Sequence, residues 1–366
     1  MKIFLDNIIY SKVKNGGVSN YWFELSKYLI NQTNEEVKFF EEKNDLTNFH
    51  RKILQIPQES IIRNESKSSF FSRLLPINYK SNEKLIYHSS YYRGLSGAKN
   101  QIEVTTVYDF IHDYYSSFLK RKIHNNLKYN AIKRSKGVIC ISKNTYADLQ
   151  KFCPTKKNQK AEVIYVGVSD DYFPISDLDT LQKQFLVNHN LESGFLLFVG
   201  GRTNYKNFDF VAAVLNENKD LKLVIVGGGA LNKKELKLFT KEAFERLVFI
   251  GSVKNEELNI LLNSALALLY PSSYEGFGIP VVEAMRAGCP VIGLNNATIR
   301  EVAEDSALLL DNINLSDFNK QKQKLMNSVF RQEIIAKGLL ESQKYSWQKS
   351  SRETHEFYTD LYNSSF

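Results

Sequence analysis

Ser273-Tyr-Glu275-Gly-Phe-Gly278-Ile-Pro280-Val-Val-Glu283-Ala-Met-Arg-Ala-Gly288-Cys-Pro290-Val-Ile-Gly293 reads as strand end, turn, short helix and next strand. The apolar run Ala265–Tyr270 before it stops at Pro271, and glycines follow. Pro280 suits a helix first turn, where its missing N–H is not needed. About two turns later Gly288 fits the residue just past a helix end, and Pro290 opens another apolar run. A helix start offers backbone donors and partial positive charge. The amides near Phe277, Gly278 and Ile279 are therefore aimed at one spot, suited to an anion or to ligand oxygens. Gly276 and Gly278 let the backbone approach closely. Glu275 and Glu283 flank that spot, and carboxylates accept strong hydrogen bonds from hydroxyls. The pattern predicts a ligand carrying both anionic groups and hydroxyls.

Working outward, the same alternation recurs. Val104–Val107, Gly137–Ile141, Ala161–Val166, Phe195–Val199, Leu221–Val226, Leu247–Ile250 and Pro290–Ile292 are short, near-continuous apolar runs separated by amphipathic stretches. Such runs indicate parallel sheets covered on both faces, a doubly wound α/β architecture. The length of 366 residues fits two domains, and 43% hydrophobic content suffices for two cores. We expect domains over residues 1–175 and 176–344, with a C-terminal helix over residues 345–366 crossing back to the first. Residues 44–82 are polar and read as an insertion or mobile loop, and residues 168–191 read as the linker.

After the first strand of the second half comes Gly200-Gly-Arg202-Thr-Asn-Tyr-Lys206. Two cations four residues apart share a face if helical. At a strand's carboxyl end, where doubly wound folds bind ligands, they suggest a diphosphate clamp. Near the N-terminus, Asn15-Gly16-Gly17-Val18 reads as a glycine turn into a helix. Residues 120–136 hold seven Lys or Arg and no acid, with Ile123, Leu127 and Ile132 as a candidate apolar face. This segment fits a membrane-surface helix or a solvated face equally. The net charge of +8 favours anionic partners without choosing one. Nothing in the motifs supports nucleic acid.

Cys140, Cys153 and Cys289 show no metal-ligand spacing, so no metal is expected, and their odd number fits a reducing compartment. Asp6 interrupts the first apolar run, which makes a secretory leader a poor match. A cytoplasmic location is expected, with any membrane contact peripheral and at the inner face.

The stretch EGFGIPVVEAMRAGCPVI resembles the signature of glycosyltransferase family four, retaining enzymes of the GT-B fold. The resemblance lies in two glutamates separated by seven residues with GFG-P between them. It implies two Rossmann-like domains with a cleft between them and a nucleotide diphosphate sugar as donor substrate, with no further cofactor. Glu275 would bind donor-sugar hydroxyls and Glu283 the ribose, while the backbone at Phe277, Gly278 and Ile279 would hold sugar and diphosphate. Arg202 and Lys206 match a Gly-Arg…Lys-Asn pattern that stabilises the departing diphosphate. The turn at Val253 would pack near the base, and Thr298 and Glu301 are weaker pocket candidates. Gly16 and Gly17 would lie opposite the diphosphate. Asp109 matches a His-Asp strand end and would orient acceptor or donor sugar. Here the sequence departs from the family, because Tyr108 stands at the histidine position and is a poor base. His112 is a candidate substitute. The style of the clamp segment resembles O-antigen and capsule transferases, with mannose-type donors and glycan or lipid-linked acceptors. A nucleotide-sugar epimerase of the same fold and a catalytically silent sugar-nucleotide binder are the competing readings.

Overall fold

The computed structural model describes residues 1–42, 47–63 and 74–364. It consists of two compact units, residues 1–167 with 346–366, and residues 168–345. The first unit contains β1 (Lys2–Asp6), β2 (Glu36–Glu41), β3 (Ile61–Arg63), β4 (Ile77–Ser89), β5 (Leu95–Val107), β6 (Gly137–Cys140) and β7 (Lys160–Val163). They form one parallel sheet in the order β3-β2-β1-β4-β5-β6-β7. The second contains β8 (Leu196–Val199), β9 (Leu223–Val226), β10 (Leu247–Gly251), β11 (Ala267–Tyr270), β12 (Val291–Leu294) and β13 (Leu308–Leu310). Its parallel order is β10-β9-β8-β11-β12-β13.

The strands of the second sheet are three- to five-residue runs rich in Val, Leu, Ile and Phe, because helices cover both faces of a parallel sheet. Leu196, Phe198, Leu223, Ile225, Leu269 and Ile292 form one continuous core with Phe208, Val211 and Leu215 of the helix Phe208–Glu217. In the second sheet the strand order reverses between β8 and β11. Doubly wound sheets open a crevice at such a reversal, outside the carboxyl ends of the strands. The two motifs singled out in the sequence, residues 200–207 after β8 and 271–278 after β11, are the loops that meet there.

Three sequence expectations change. Residues 47–63 are built structure rather than a loose insertion: Ile61 pairs with Phe39, and buried Arg51 is ion-paired with Glu41. The remainder of that polar segment before β4 includes Asn64–Arg73, which lies outside the described residues. Residues 168–175 belong with the second unit, so the boundary falls at Gly167 rather than at 175. The backbone amides of Phe173 and Ile175 donate to Asn259 and Asn263 of the helix Asn255–Ser264 at 3.2 and 2.7 Å, which fastens this stretch to that unit. Finally, the basic helix Phe118–Arg134 has no common apolar face, since Ile123 is 49% exposed and Ile132 is 1% exposed. Nor is it uniformly solvated. Lys128 is fully buried, 2.8 Å from Asp113 and 3.9 Å from the Phe110 ring centre.

The aromatic C-terminus forms the helix Trp347–Asn363, which packs on the helix Gly17–Gln32 of the first unit. Tyr358 is buried with its hydroxyl 2.5 Å from His88 Nδ1. Burial pushes His88 down to about 3, so it is a neutral link in the chain Tyr358–His88–Thr106–Tyr21. Where this helix begins, Gly167 lies directly against the backbone of Ser346 and Trp347. A methyl group at 167 would overlap main-chain atoms that no rotamer change can move. Gly167→Ala should therefore destabilise the protein by about 2 kcal/mol in chemical denaturation, an overpacking cost. An unchanged unfolding midpoint would refute the contact.

Candidate active site

The loop after β8 turns through a 3-10 helix at Asn204–Lys206 and a left-handed residue, Asn207, at φ 50° and ψ 48°. Asn tolerates this conformation better than most side chains. Its amide group then reaches the neighbouring loop, donating to Pro271 O at 2.7 Å and Ser273 Oγ at 2.8 Å. The Ser273 amide returns a bond to Tyr205 O at 2.7 Å. Thus the two loops at the strand reversal are sewn together through Asn207, the Asn of the Lys-Asn pattern, to which the sequence assigned no role of its own. An αL-tolerant Asn directly after the Lys was the available signal.

This stitching delivers Lys206 Nζ to 2.5 Å from Glu275 Oε1 and 3.1 Å from the Tyr270 hydroxyl. Glu275 is 8% exposed, and its carbonyl accepts a hydrogen bond from Thr298 Oγ1 at 2.7 Å. The Asn296 side chain holds Ser272 O at 2.7 Å, so the helix Ala297–Ala303 supports the same loop from behind. Glu301 lies on that supporting helix.

Gly278 adopts φ 90°, ψ 47° and is the N-cap of the helix Ile279–Arg286, with Pro280 in its first turn. No side chain among the described residues caps this helix start. Phe277, Gly278 and Ile279 therefore form the bend at which the helix dipole meets the loop. Glu283 lies one turn further on. It keeps part of its surface accessible, yet the surrounding protein strips most of its solvation. Burial raises its carboxyl pKa to about 7, with the hydrogen bond from the Tyr172 hydroxyl working in the opposite sense.

Arg202 is arranged differently from the shared helical face the spacing suggested. Its guanidinium binds the carbonyls of Gly227, Gly228, Gly229 and Ala230 at 2.9–3.2 Å, and Nε lies 3.0 Å from Glu235 Oε1. Gly227, Gly228 and Gly229 all have positive φ, and a methyl group on Gly228 would collide with Arg202 Nη1 at 2.6 Å. The triple glycine is a wrap around this cation. The structure thus brings Lys206 to Glu275, while Arg202 braces the adjacent turn after β9. Val253, half-buried, lies in the turn after β10.

The remaining predicted residues lie in the first unit. Gly16 caps the helix that starts at Gly17 with φ 152°, and both are exposed. Asp109 is half-buried just beyond β5, its Oδ1 accepting from the Ile111 amide at 2.9 Å and its carbonyl from Lys128 at 3.2 Å. Tyr108 points inward. Its ring is 5.7 Å from that of Tyr21, edge to face, and its buried hydroxyl has no hydrogen-bond partner among the described residues. Burial, with Tyr21 and Tyr92 nearby, pushes this phenol far above its ordinary pKa, so it is neutral. His112 Nδ1 lies 2.7 Å from Ser116 Oγ, with its ring 3.9 Å from that of His124.

The raised Glu283 pKa has a sign that can be checked. Between its ordinary value of 4.5 and about 7 the folded chain holds a proton that the unfolded chain has released. Stability from this group is full below the lower value and is lost as pH rises through the upper one. Glu283→Gln, which cannot ionise, should gain on wild type by up to about 3 kcal/mol between pH 5 and 8 in urea unfolding. A pH-independent difference would remove the desolvation argument.

Residues 180–359 match the family described as glycosyl transferases group 1. The chain is 28% identical over 202 residues to an O-antigen chain mannosyltransferase B of Escherichia coli, covering 52% of this chain and 51% of that protein. It is 29% identical over 214 residues to an O-antigen chain mannosyltransferase of Salmonella typhimurium, covering 57% and 56%. It thus spans about half the length of these two relatives. An uncharacterized glycosyltransferase of Methanocaldococcus jannaschii is 27% identical over 75% of this chain and 74% of its own. In structure, a sucrose-phosphate synthase from Thermosynechococcus elongatus superposes with a TM-score of 0.77 at 18% identity over the whole of both chains. WaaG, a glycosyltransferase involved in lipopolysaccharide biosynthesis, superposes at 0.69 with 15% identity over 98% of this chain and 99% of its own. The two parallel-sheet units thus have the GT-B fold, and residues 180–359 carry the match to the family of glycosyl transferases group 1.

Proposed function

We propose that this protein transfers a hexose of mannose type from a nucleotide diphosphate sugar to a hydroxyl of a glycan or lipid-linked glycan, with retention at the anomeric carbon, in surface polysaccharide synthesis. The observation that carries the reading is the Lys206–Glu275 pair beside the glycine bend that starts the helix Ile279–Arg286. A cation, a carboxylate and a helix start converge where a sugar and its phosphate need opposite kinds of partner. The names of the two O-antigen relatives support a mannose-type donor.

In this reading Glu275 accepts hydrogen bonds from the donor-sugar hydroxyls. The amides at Phe277, Gly278 and Ile279 hold the diphosphate, and Glu283 accepts from the ribose. The bond between the anomeric carbon and the phosphate oxygen breaks, and the acceptor oxygen bonds the same face of that carbon. The acceptor proton passes to the leaving phosphate oxygen. Negative charge grows on that oxygen, and Lys206 and the helix start stabilise it. Arg202 adds positive potential from the neighbouring turn. One preorganised donor of this kind contributes about 3 kcal/mol at the transition state.

Incubation with GDP-, UDP- and dTDP-hexoses and a lipid-linked glycan extract, followed by NMR of the product, tests the reading. The expected product keeps the donor's anomeric configuration, and Lys206→Ala lowers kcat about 100-fold. An inverted product would overturn retention. Nucleotide binding without transfer or donor hydrolysis would make the protein a silent binder, and an epimerised donor formed without acceptor would make it an epimerase.

No helix among the described residues is long and apolar enough to cross a membrane. Phe118 at 71% exposure and Ile123 at 49% stand beside exposed Arg121 and Lys122. This pairing supports an acceptor met at an anionic membrane surface. Co-flotation with vesicles containing anionic lipid should occur and should weaken in the variant Arg121→Glu, Lys122→Glu. Equal binding to neutral vesicles would count against it.

A further inference from the structure

Arg286 closes the helix that begins at the glycine bend, and its guanidinium touches both stretches of chain that join the two units. The units meet along the chain at Gly167–Val168 and again at Tyr345–Ser346. Nη1 lies 2.9 Å from Val168 O, 3.3 Å from Ser169 O and 3.0 Å from Asp170 Oδ1. Nη2 lies 3.4 Å from Ser342 O and 3.2 Å from Tyr345 O. A planar cation with donors on separate arms can bridge two chain segments, which a lysine ammonium cannot do in the same way.

Two more contacts join the same parts. The Tyr172 side chain, on the first crossing, interacts with Glu283 one helical turn before Arg286. The ring of Phe277, in the glycine bend, packs edge-on against Tyr345 of the second crossing at 5.3 Å. The segment 277–286 therefore meets the crossings at its start, middle and end. Asp170 is fully exposed whereas Arg286 is 14% exposed, so the ion pair contributes little and the four carbonyls carry the anchorage.

We propose that Arg286 is a positioning residue that couples occupancy of the donor loop to both chain crossings. The two-turn helix is too short and too well packed to bend, so a ligand that shifts or rigidifies residues 275–283 acts through Arg286 on residues 168–169 and 342–345. The inference rests on the donor reading above and adds to it a path from the donor to the joints of the molecule.

Amide hydrogen exchange of the full chain, with and without GDP or UDP, tests the proposal. In wild type the nucleotide should protect residues 276–283 and, in the same titration, residues 168–172 and 342–346. In Arg286→Ala the first protection should persist and the second should fall at least about fivefold, the lower end of ordinary coupling. Asp170→Ala should behave as wild type, and Arg286→Lys should be intermediate. In transfer assays Arg286→Ala should lower kcat about tenfold, with the donor KM changed less than about threefold. Retained protection of the crossings in Arg286→Ala overturns the coupling, and so does an equal loss in Asp170→Ala. Should Arg286→Ala not fold, a wild-type response in Arg286→Lys overturns it as well. If neither nucleotide protects residues 276–283 in wild type, the donor reading fails and takes the coupling with it. That outcome is distinct from a loop that responds while the crossings do not.

Discussion

Lys206 and Glu275 come from loops 69 positions apart and meet at 2.5 Å because the strand order reverses between β8 and β11. At that reversal the two loops have no intervening helix to keep them apart, and Asn207 fills the gap with bonds to Pro271 and Ser273. Both partners are largely withdrawn from water, with side chains 12% and 10% exposed. A buried charge left alone costs several kcal/mol, so each keeps the other in place. In the proposed chemistry the pair is an exchangeable contact: a phosphate can take the lysine and sugar hydroxyls the glutamate, with both charges compensated throughout.

Around that pair the second unit distributes its positive charge economically. Arg202 is withheld from Glu275 and spends its donors on the carbonyls of Gly227 to Ala230. Three successive positive-φ residues are strained for anything but glycine, so the wrap exists only because the cation gathers those carbonyls and the glycines permit it. The site is thus a braced set of strand ends in which one cation pairs with Glu275 and another supports the neighbouring turn.

Much of this was legible in advance. The runs at 195–199, 221–226 and 265–270 contain few polar residues, because a doubly covered parallel strand has no solvent side to mark. Gly278, Pro280 and Gly288 encode the helix start and end locally, so the bend is legible in the sequence alone. What escaped depended on partners distant in sequence. The i, i+4 argument for Arg202 and Lys206 assumed an α-helix, and the chain instead makes a 3-10 turn and a left-handed residue. Tyr108 turns inward because Tyr21, from the helix Gly17–Gln32, packs against its ring. Lys128 sits in a run of basic residues that looks solvated, yet Asp113 draws it inside. The polar stretch after β2 hid β3, a three-residue strand too short to show a period.

The helix Trp347–Asn363 completes the first unit with residues that lie beyond the whole of the second. During synthesis the whole second unit is therefore translated before the helix that packs against Gly17–Gln32. Domains tend to fold in order of emergence. This chain inverts that order: the half made first is the half finished last, and its unsheltered helix face is the surface that chaperones would meet.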